Sequence, residues 1–474
     1  MTQLATRGWT GPGGGAMSRM PVPTEFRGTS RQVCGLWPFA VGSGTPMIGV
    51  PLGSHLFTGS TVCFDPISWF TRAHLISNPS CFVLGLPGLG KSSTIRHVIL
   101  GMEGYGAHSM ILGDLKPDYV ELVRSIGGQV IPIGRGRGKI NPLDDGGAHE
   151  AAKQLSGQAR QELLADAHGR QLTMLAALVQ LSRSQPPTDR EESILDACLK
   201  VLSDRLDRLP IIGDVLDVIR EAPPSVREVA IDRGDINRYK EITEDLEASL
   251  MAMLAGRFGE IFSGQTSIPM RTDRSVVFDV SAIKDTDKAL EAAALLTCWS
   301  YGFGVVGVQQ TLADYGIVPR THFNMVMDEM WRALRSGPGM VERADVITRL
   351  NRTVGVSTMM ITHTMKDLES LASEEDRAKA RGFVERAGVV LLGGLPPSEK
   401  PLLDRVMGLS ESEKNLITSW DSPPGWDAET GREGAPPGRG KFLIKVGGRP
   451  GIPVQVRLTS VELAVNDTNQ RWHQ

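Results

Sequence analysis

The sequence predicts an α/β fold: a mainly parallel sheet covered by helices, an all-helical insertion, a small β-rich lead-in and a terminal β-hairpin. Three observations carry this. Short apolar runs alternate with stretches of helical periodicity on both sides of the chain's middle, which is how strands joined by crossover helices read. From Gly146 to about Met270 strand signals nearly vanish, and Ile194, Cys198, Val201, Leu202 and Leu206 fall on one helical face. Near the ends, residues 46–53, 59–66, 441–446 and 452–458 read as small strands between turn residues.

The chain has 474 residues, more than one compact domain usually holds. Composition shifts divide it into a disordered tail (1–31), the lead-in and first half of the core (32–145), the helical insertion (146–270), the second half (271–420), and a mobile Pro/Gly-rich loop with the hairpin (421–474). Hydrophobic content of 41% and charged content of 22% are ordinary for a soluble protein. A net charge of −3 excludes a globally basic nucleic-acid binder. Cys34, Cys63, Cys81, Cys198 and Cys298 are odd in number and scattered, mostly in apolar runs. They read as reduced thiols of a cytosolic protein, not as a disulfide framework or zinc site. The first twenty residues lack the apolar core of a signal peptide, and Met17 or Met20 could be the true start. The uncharged run 292–308 contains Gly302, Gly304 and Gly307 and reads as a buried helix entering a Gly-rich turn, not a transmembrane span.

In chain order, 81–84 is a buried strand, 93–100 a helix, 109–113 a strand ending at Asp114, 116–126 a helix and 129–133 a strand. Two capping boxes, Thr188-x-x-Glu191 and Ser225-x-x-Glu228, each follow Pro-Pro and mark helix starts in the insertion. The sheet resumes with strands at 275–280, 322–328, 356–362 and 388–392, and with helices at 285–300 and 341–354. Ser410-x-x-Glu413 caps a further helix.

Between the first strand and helix lies Gly85-Leu86-Pro87-Gly88-Leu89-Gly90-Lys91-Ser92-Ser93, which contains the P-loop spacing of two glycines, lysine and serine. The chemistry requires these residue types. Glycines let backbone N–H groups curl around phosphate oxygens, and the helix start adds partial positive charge. Lys91 would reach the β- and γ-phosphates of ATP, and the Ser92 hydroxyl would ligate Mg2+. Hydrolysis also needs acids, and the strand Met325-Val326-Met327 ends in Asp328-Glu329. Asp328 would hold the metal's water shell, and Glu329 would orient or deprotonate the attacking water. His363, at the end of the next strand, suits a γ-phosphate sensor. Arg349 or Arg352 would reach a neighbouring subunit's nucleotide as an arginine finger. Asp114, Lys116 and Asp118 either contact the nucleotide or cap the helix that follows them.

The order of these motifs resembles the cytoplasmic motor ATPases of conjugative transfer and type IV secretion, in the FtsK–HerA branch of P-loop ATPases. The resemblance is carried by the P-loop, by Asp114-Leu-Lys-Pro-Asp-Tyr119 with Gly127-Gly-Gln-Val-Ile131 and Ile140-Asn-Pro-Leu-Asp144, by Val326-Met-Asp-Glu-Met-Trp331, by Ile361-Thr-His-Thr-Met-Lys-Asp-Leu368, and by Gly408-Leu-Ser-Glu-Ser-Glu413. It implies a RecA-like core, ATP and Mg2+ as ligands, and a hexameric ring at the inner face of the cell membrane. It also implies docking on a membrane-embedded secretion channel, with DNA or a coupling protein as further partners. Two departures stand out: little chain precedes the P-loop, and His363 occupies a position where the family often has Gln. A DNA-translocating coupling protein or FtsK/HerA-like translocase is the alternative reading, and a nucleotide-gated scaffold without turnover is a third, against which Asp328-Glu329 argues.

Overall fold

The structure, a computed structural model, describes residues 46–283, 287–337, 339–348, 355–371, 373–423, 426–427 and 432–465. The expected tail, Arg349 and Arg352, Cys34 and parts of the 421–438 stretch lie outside the described residues. The strands are β1 (Pro51–His55), β2 (Thr61–Cys63), β3 (Ser80–Leu84), β4 (Ala107–Asp114), β5 (Gln129–Pro132), β6 (Val276–Asp279) and β7 (His322–Met327). They continue with β8 (Val356–Ile361), β9 (Val389–Leu392), β10 (Trp426–Asp427), β11 (Arg432–Glu433), β12 (Lys441–Lys445) and β13 (Ile452–Val456).

Eleven strands form one sheet in the order β2-β1-β13-β12-β9-β3-β8-β7-β4-β6-β5, while β10 and β11 pair with each other. From β9 to β5 every neighbour is parallel. The pairs from β9 through β12, β13 and β1 to β2 are antiparallel. Both faces of the central strands are covered, so β3 is buried at every position. Its alternation sends Phe82 and Leu84 into the core shared with helices Gly157–Arg183 and Lys288–Asp314. Cys81 and Val83 enter the opposite core with Ile95, Val98 and Ile99 of helix Lys91–Gly104. β3 lies between β8 and β9, whereas β4, the next strand in the chain, lies beyond β7. That reversal opens a crevice at the carboxyl ends of β3, β8, β7 and β4.

Between β5 and β6 the chain is helical, with Gly157–Arg183, Asp189–Arg205, Ile212–Glu221, Pro224–Ala230 and Ile236–Ala255 as its main helices. The Thr188 box forms: the Thr188 N–H donates to Glu191 at 2.7 Å and the Glu191 N–H donates to the Thr188 hydroxyl at 3.3 Å. The expected Ser225 box does not. That helix begins at Pro224, with Pro223 as its N-cap and Ser225 already inside. Proline's fixed φ preorganises the first helical position and needs no side-chain cap.

Helix Lys288–Asp314 also corrects the sequence reading, since it runs straight through Gly302, Gly304 and Gly307. Gly302 packs where a Cβ would collide with Leu112 of β4, so glycine here allows helix and sheet to approach and does not end the helix. By length and composition this helix could cross a membrane, but 94% of its most apolar window is buried inside the fold. The terminal hairpin is part of the main sheet, with β12 beside β9 and β13 beside β1. This brings the chain's end back to within one strand of the β3–β9 pair. The described cysteines, Cys63, Cys81, Cys198 and Cys298, are all buried and unbridged.

Candidate active site

The loop after β3 curls through Gly88 and Gly90, with φ of +80° and +94°, a region glycine enters without steric cost. Three contacts fasten it to neighbouring strand ends. Gly85 N–H donates to the His363 carbonyl at 2.9 Å, Leu86 N–H to Gly394 at 3.1 Å, and Leu89 accepts from Gly440 N–H at 2.9 Å. Helix Lys91–Gly104 starts directly at the loop's end.

Lys91 is 7% exposed. Its Nζ donates to the Gly85 carbonyl, to the Leu86 carbonyl at 3.1 Å and to Nδ1 of His363 at 3.1 Å. Burial pulls the ammonium down to about 8, against the opposing pull of Asp328 and Glu329. His363 Nε2 lies 3.4 Å from Glu329 Oε2. An imidazole whose Nδ1 accepts from an ammonium carries its proton on Nε2, so His363 connects lysine to glutamate in one direction.

Glu329 follows β7 in the left-handed region, with φ +52°, a strained conformation for a non-glycine residue and one that recurs at functional sites. Its carboxylate takes Lys116 Nζ at 3.1 Å on Oε1 and Trp331 Nε1 at 2.7 Å on Oε2. Burial alone would raise this carboxyl, but His363 and Lys116 outweigh it and hold the group well below the usual carboxylate range. Asp328 accepts from the buried Tyr119 hydroxyl at 2.9 Å and from Glu329 N–H at 2.8 Å. Burial, joined by the adjacent Glu329 charge, pushes its carboxyl up.

Asp114, at the end of β4, accepts from Tyr119 N–H at 2.8 Å and Asp118 N–H at 3.2 Å. It therefore braces the turn that leads into helix Val120–Ser125, and it also lines the crevice. Burial, reinforced by Asp118 and Asp328, pushes its carboxyl up to about 8. Asp118 is raised by burial, an effect opposed by Arg96, Lys116 and the Ser92 hydroxyl beside it.

These side chains line one cleft of about 310 Å3 that brings together Lys91, Ser92, Asp328, Glu329 and His363. Pro87, Gly88, Gly90 and Ser93 share its wall, whereas Gly85, Leu86 and Leu89 do not. Those three act from behind, as acceptors for Lys91 and as the loop's buried anchor. Sequence reasoning missed two arginines of the cleft, Arg96 and Arg439. Arg96 holds the turn through the Asp118 carbonyl at 2.5 Å. Its place on the helix face one turn after Ser92 was the available signal. For Mg2+ the donor chemistry fits: Ser92, Asp328, Asp114 and Asp118 offer hard oxygens only. Burial, reinforced by neighbouring carboxylates, raises Asp114 and Asp328, a cost that a divalent cation beside Ser92 would partly offset, although among the described residues no three acids cluster as a ready-made metal cage.

No family model matches the sequence, and no curated protein does. Solved structures match. The structure of VirB4 of Thermoanaerobacter pseudethanolicus is 19% identical with a TM-score of 0.66, covering 89% of this chain and 100% of that one. The plasmid coupling protein TrwB in complex with ADP and Mg2+ is 13% identical with a TM-score of 0.50, covering 80% of this chain and 85% of that one. The order of strands about β3, the crevice at their carboxyl ends and these two likenesses agree: this chain has the RecA-like P-loop fold of VirB4.

Proposed function

We propose that this protein hydrolyses ATP and works as a homo-oligomeric, hexameric motor that energises a conjugative or type IV secretion apparatus, in the cytoplasm at the inner face of the membrane. The observation that carries the chemistry is the line from Lys91 through His363 to Glu329, which joins the phosphate cradle to a carboxylate base across one cleft. The likeness to VirB4 over the full length of that chain supports the cellular role.

The residues divide the work. Backbone N–H groups of the 85–90 loop and the Lys91 ammonium bind the β- and γ-phosphates, for which Lys91 leaves its carbonyl acceptors. Ser92 and Asp328 would hold Mg2+, which when bound neutralises charge on the β- and γ-oxygens. Glu329 stays ionised and orients the attacking water, accepting its proton as His363 and Lys116 release the carboxylate. His363, released from Lys91, turns its proton-bearing nitrogen between Glu329 and the γ-phosphate and so reports the phosphate's presence to the base.

The test is phosphate release against protein concentration, with and without duplex DNA. Turnover that rises faster than concentration supports a site completed by a neighbouring subunit. No turnover in purified protein at any concentration would end the proposal. Strong stimulation by duplex DNA with a steep salt dependence would move the reading to a DNA-translocating coupling protein.

A further inference from the structure

Four cationic side chains line the cleft, Lys91, Arg96, Lys116 and Arg439. Three are engaged by the protein itself. Lys91 is held by two loop carbonyls and His363, Arg96 by the Asp118 carbonyl, and Lys116 by Glu329. Arg439 is exposed, and its guanidinium has no hydrogen-bond or ion-pair partner among the described residues.

Its backbone is fixed, however. Arg439 sits between two glycines that nothing larger could replace without movement. A Cβ at Gly438 would collide with the Trp420 carbonyl, and Gly440 has φ +71° with a Cβ site only 3.0 Å from Gln455 Nε2. Gly440 N–H donates to Leu89 of the phosphate loop at 2.9 Å, and its carbonyl accepts from Val456 N–H at 2.8 Å. Gln455 Nε2 holds the Arg439 carbonyl at 3.2 Å. The turn is thus clamped between the β12–β13 pair and the phosphate loop, with the Arg439 guanidinium, unpaired among the described residues, lining the same cleft as Pro87, Gly88 and Gly90.

We infer that Arg439 is a phosphate-binding residue of the same protomer: its guanidinium contacts the phosphates of the nucleotide held by its own loop, which rests on the proposed ATP site. A planar guanidinium suits two-point contact with phosphate oxygens. Because the turn is tied to β12 and β13, nucleotide contact at Arg439 also couples the C-terminal strands to occupancy of the cleft.

The test uses the full chain and Mg2+·ADP, titrated calorimetrically, with Arg439→Ala and Arg439→Lys beside wild type. The expected result is a Kd raised roughly 10-fold or more in Arg439→Ala, partly restored in Arg439→Lys, with an unchanged thermal midpoint because the side chain has no partner to lose among the described residues. Equal affinity of Arg439→Ala and wild type would overturn the inference while leaving the ATP site intact. Failure of wild type to bind would instead strike the site itself. A second arm mixes Lys91→Ala with Arg439→Ala subunits. Contacts within one protomer leave each site with one defect, so mixing restores no activity. Recovery on mixing would show that Arg439 serves a neighbour's nucleotide and refute the same-protomer assignment.

Discussion

On the proposed function, the buried Lys91 should make nucleotide affinity depend on pH in a range where an ordinary lysine would not. Its ammonium lies at about 8 because burial disfavours charge. Phosphate oxygens bind the charged form, so free protein must be protonated before or as it binds. The protonated fraction falls from about 0.9 at pH 7 to about 0.1 at pH 9, so Kd for Mg2+·ADP rises roughly tenfold, about 1.4 kcal/mol. Asp114, raised to about 8 by burial, ionises over the same range, but its charge repels phosphate while favouring Mg2+, so it does not simply add to the lysine effect. His363, Lys116, Asp118, Asp328, Glu329, Arg96 and Arg439 also line the cleft, and the Asp367 charge acts on Lys91 as well. For folding the lysine term has the opposite sign. Between pH 8 and the ordinary lysine range the unfolded chain binds more protons, so stability rises with pH while affinity falls. Calorimetry at pH 8.5 in buffers of different ionisation heat should record uptake of most of a proton on binding. A constant Kd from pH 7 to 9 with no proton uptake would refute the reasoning.

Other consequences follow from single contacts. Glu329→Gln keeps the shape and the Trp331 contact but removes the base, so nucleotide binding should persist or tighten while kcat falls by roughly 100-fold to 10,000-fold, read by phosphate release. Glu413→Ala should cost about 3–5 kcal/mol in urea unfolding, because it strands Lys445, 3% exposed and paired with Glu413 at 3.0 Å, without its counter-charge. A loss below about 1 kcal/mol would mean that Lys445 finds water or another partner. Gly302→Val drives a side chain into Leu112 and should lower stability by about 1–3 kcal/mol in thermal denaturation, with Gly302→Ala losing less.

What the sequence revealed and what it hid divide along physical lines. Buried parallel strands are continuous apolar runs, so β3, β7 and β8 stand out locally, and the phosphate loop is a contiguous pattern. The acids at the end of β7 were found because a strand end can be read once its strand is. Pairings across the sheet were hidden. Lys116 meets Glu329, and Tyr119 meets Asp328, only because β4 lies beside β7, and strand order is not written in any one segment. Arg439 was hidden for the same reason: β12 pairs with β9, next to β3, and carries a C-terminal turn back to the loop. At Gly302 local propensity pointed to a turn, and close packing on β4 overrode it.

The most direct measurement is a structure of the protein with Mg2+ and a non-hydrolysable ATP analogue. The account predicts phosphates wrapped by the 85–90 loop, Mg2+ between the Ser92 hydroxyl and Asp328, and Lys91 moved from the Gly85 and Leu86 carbonyls onto the phosphates. A nucleotide bound elsewhere, or a metal with neither Ser92 nor Asp328 in its surroundings, would contradict it.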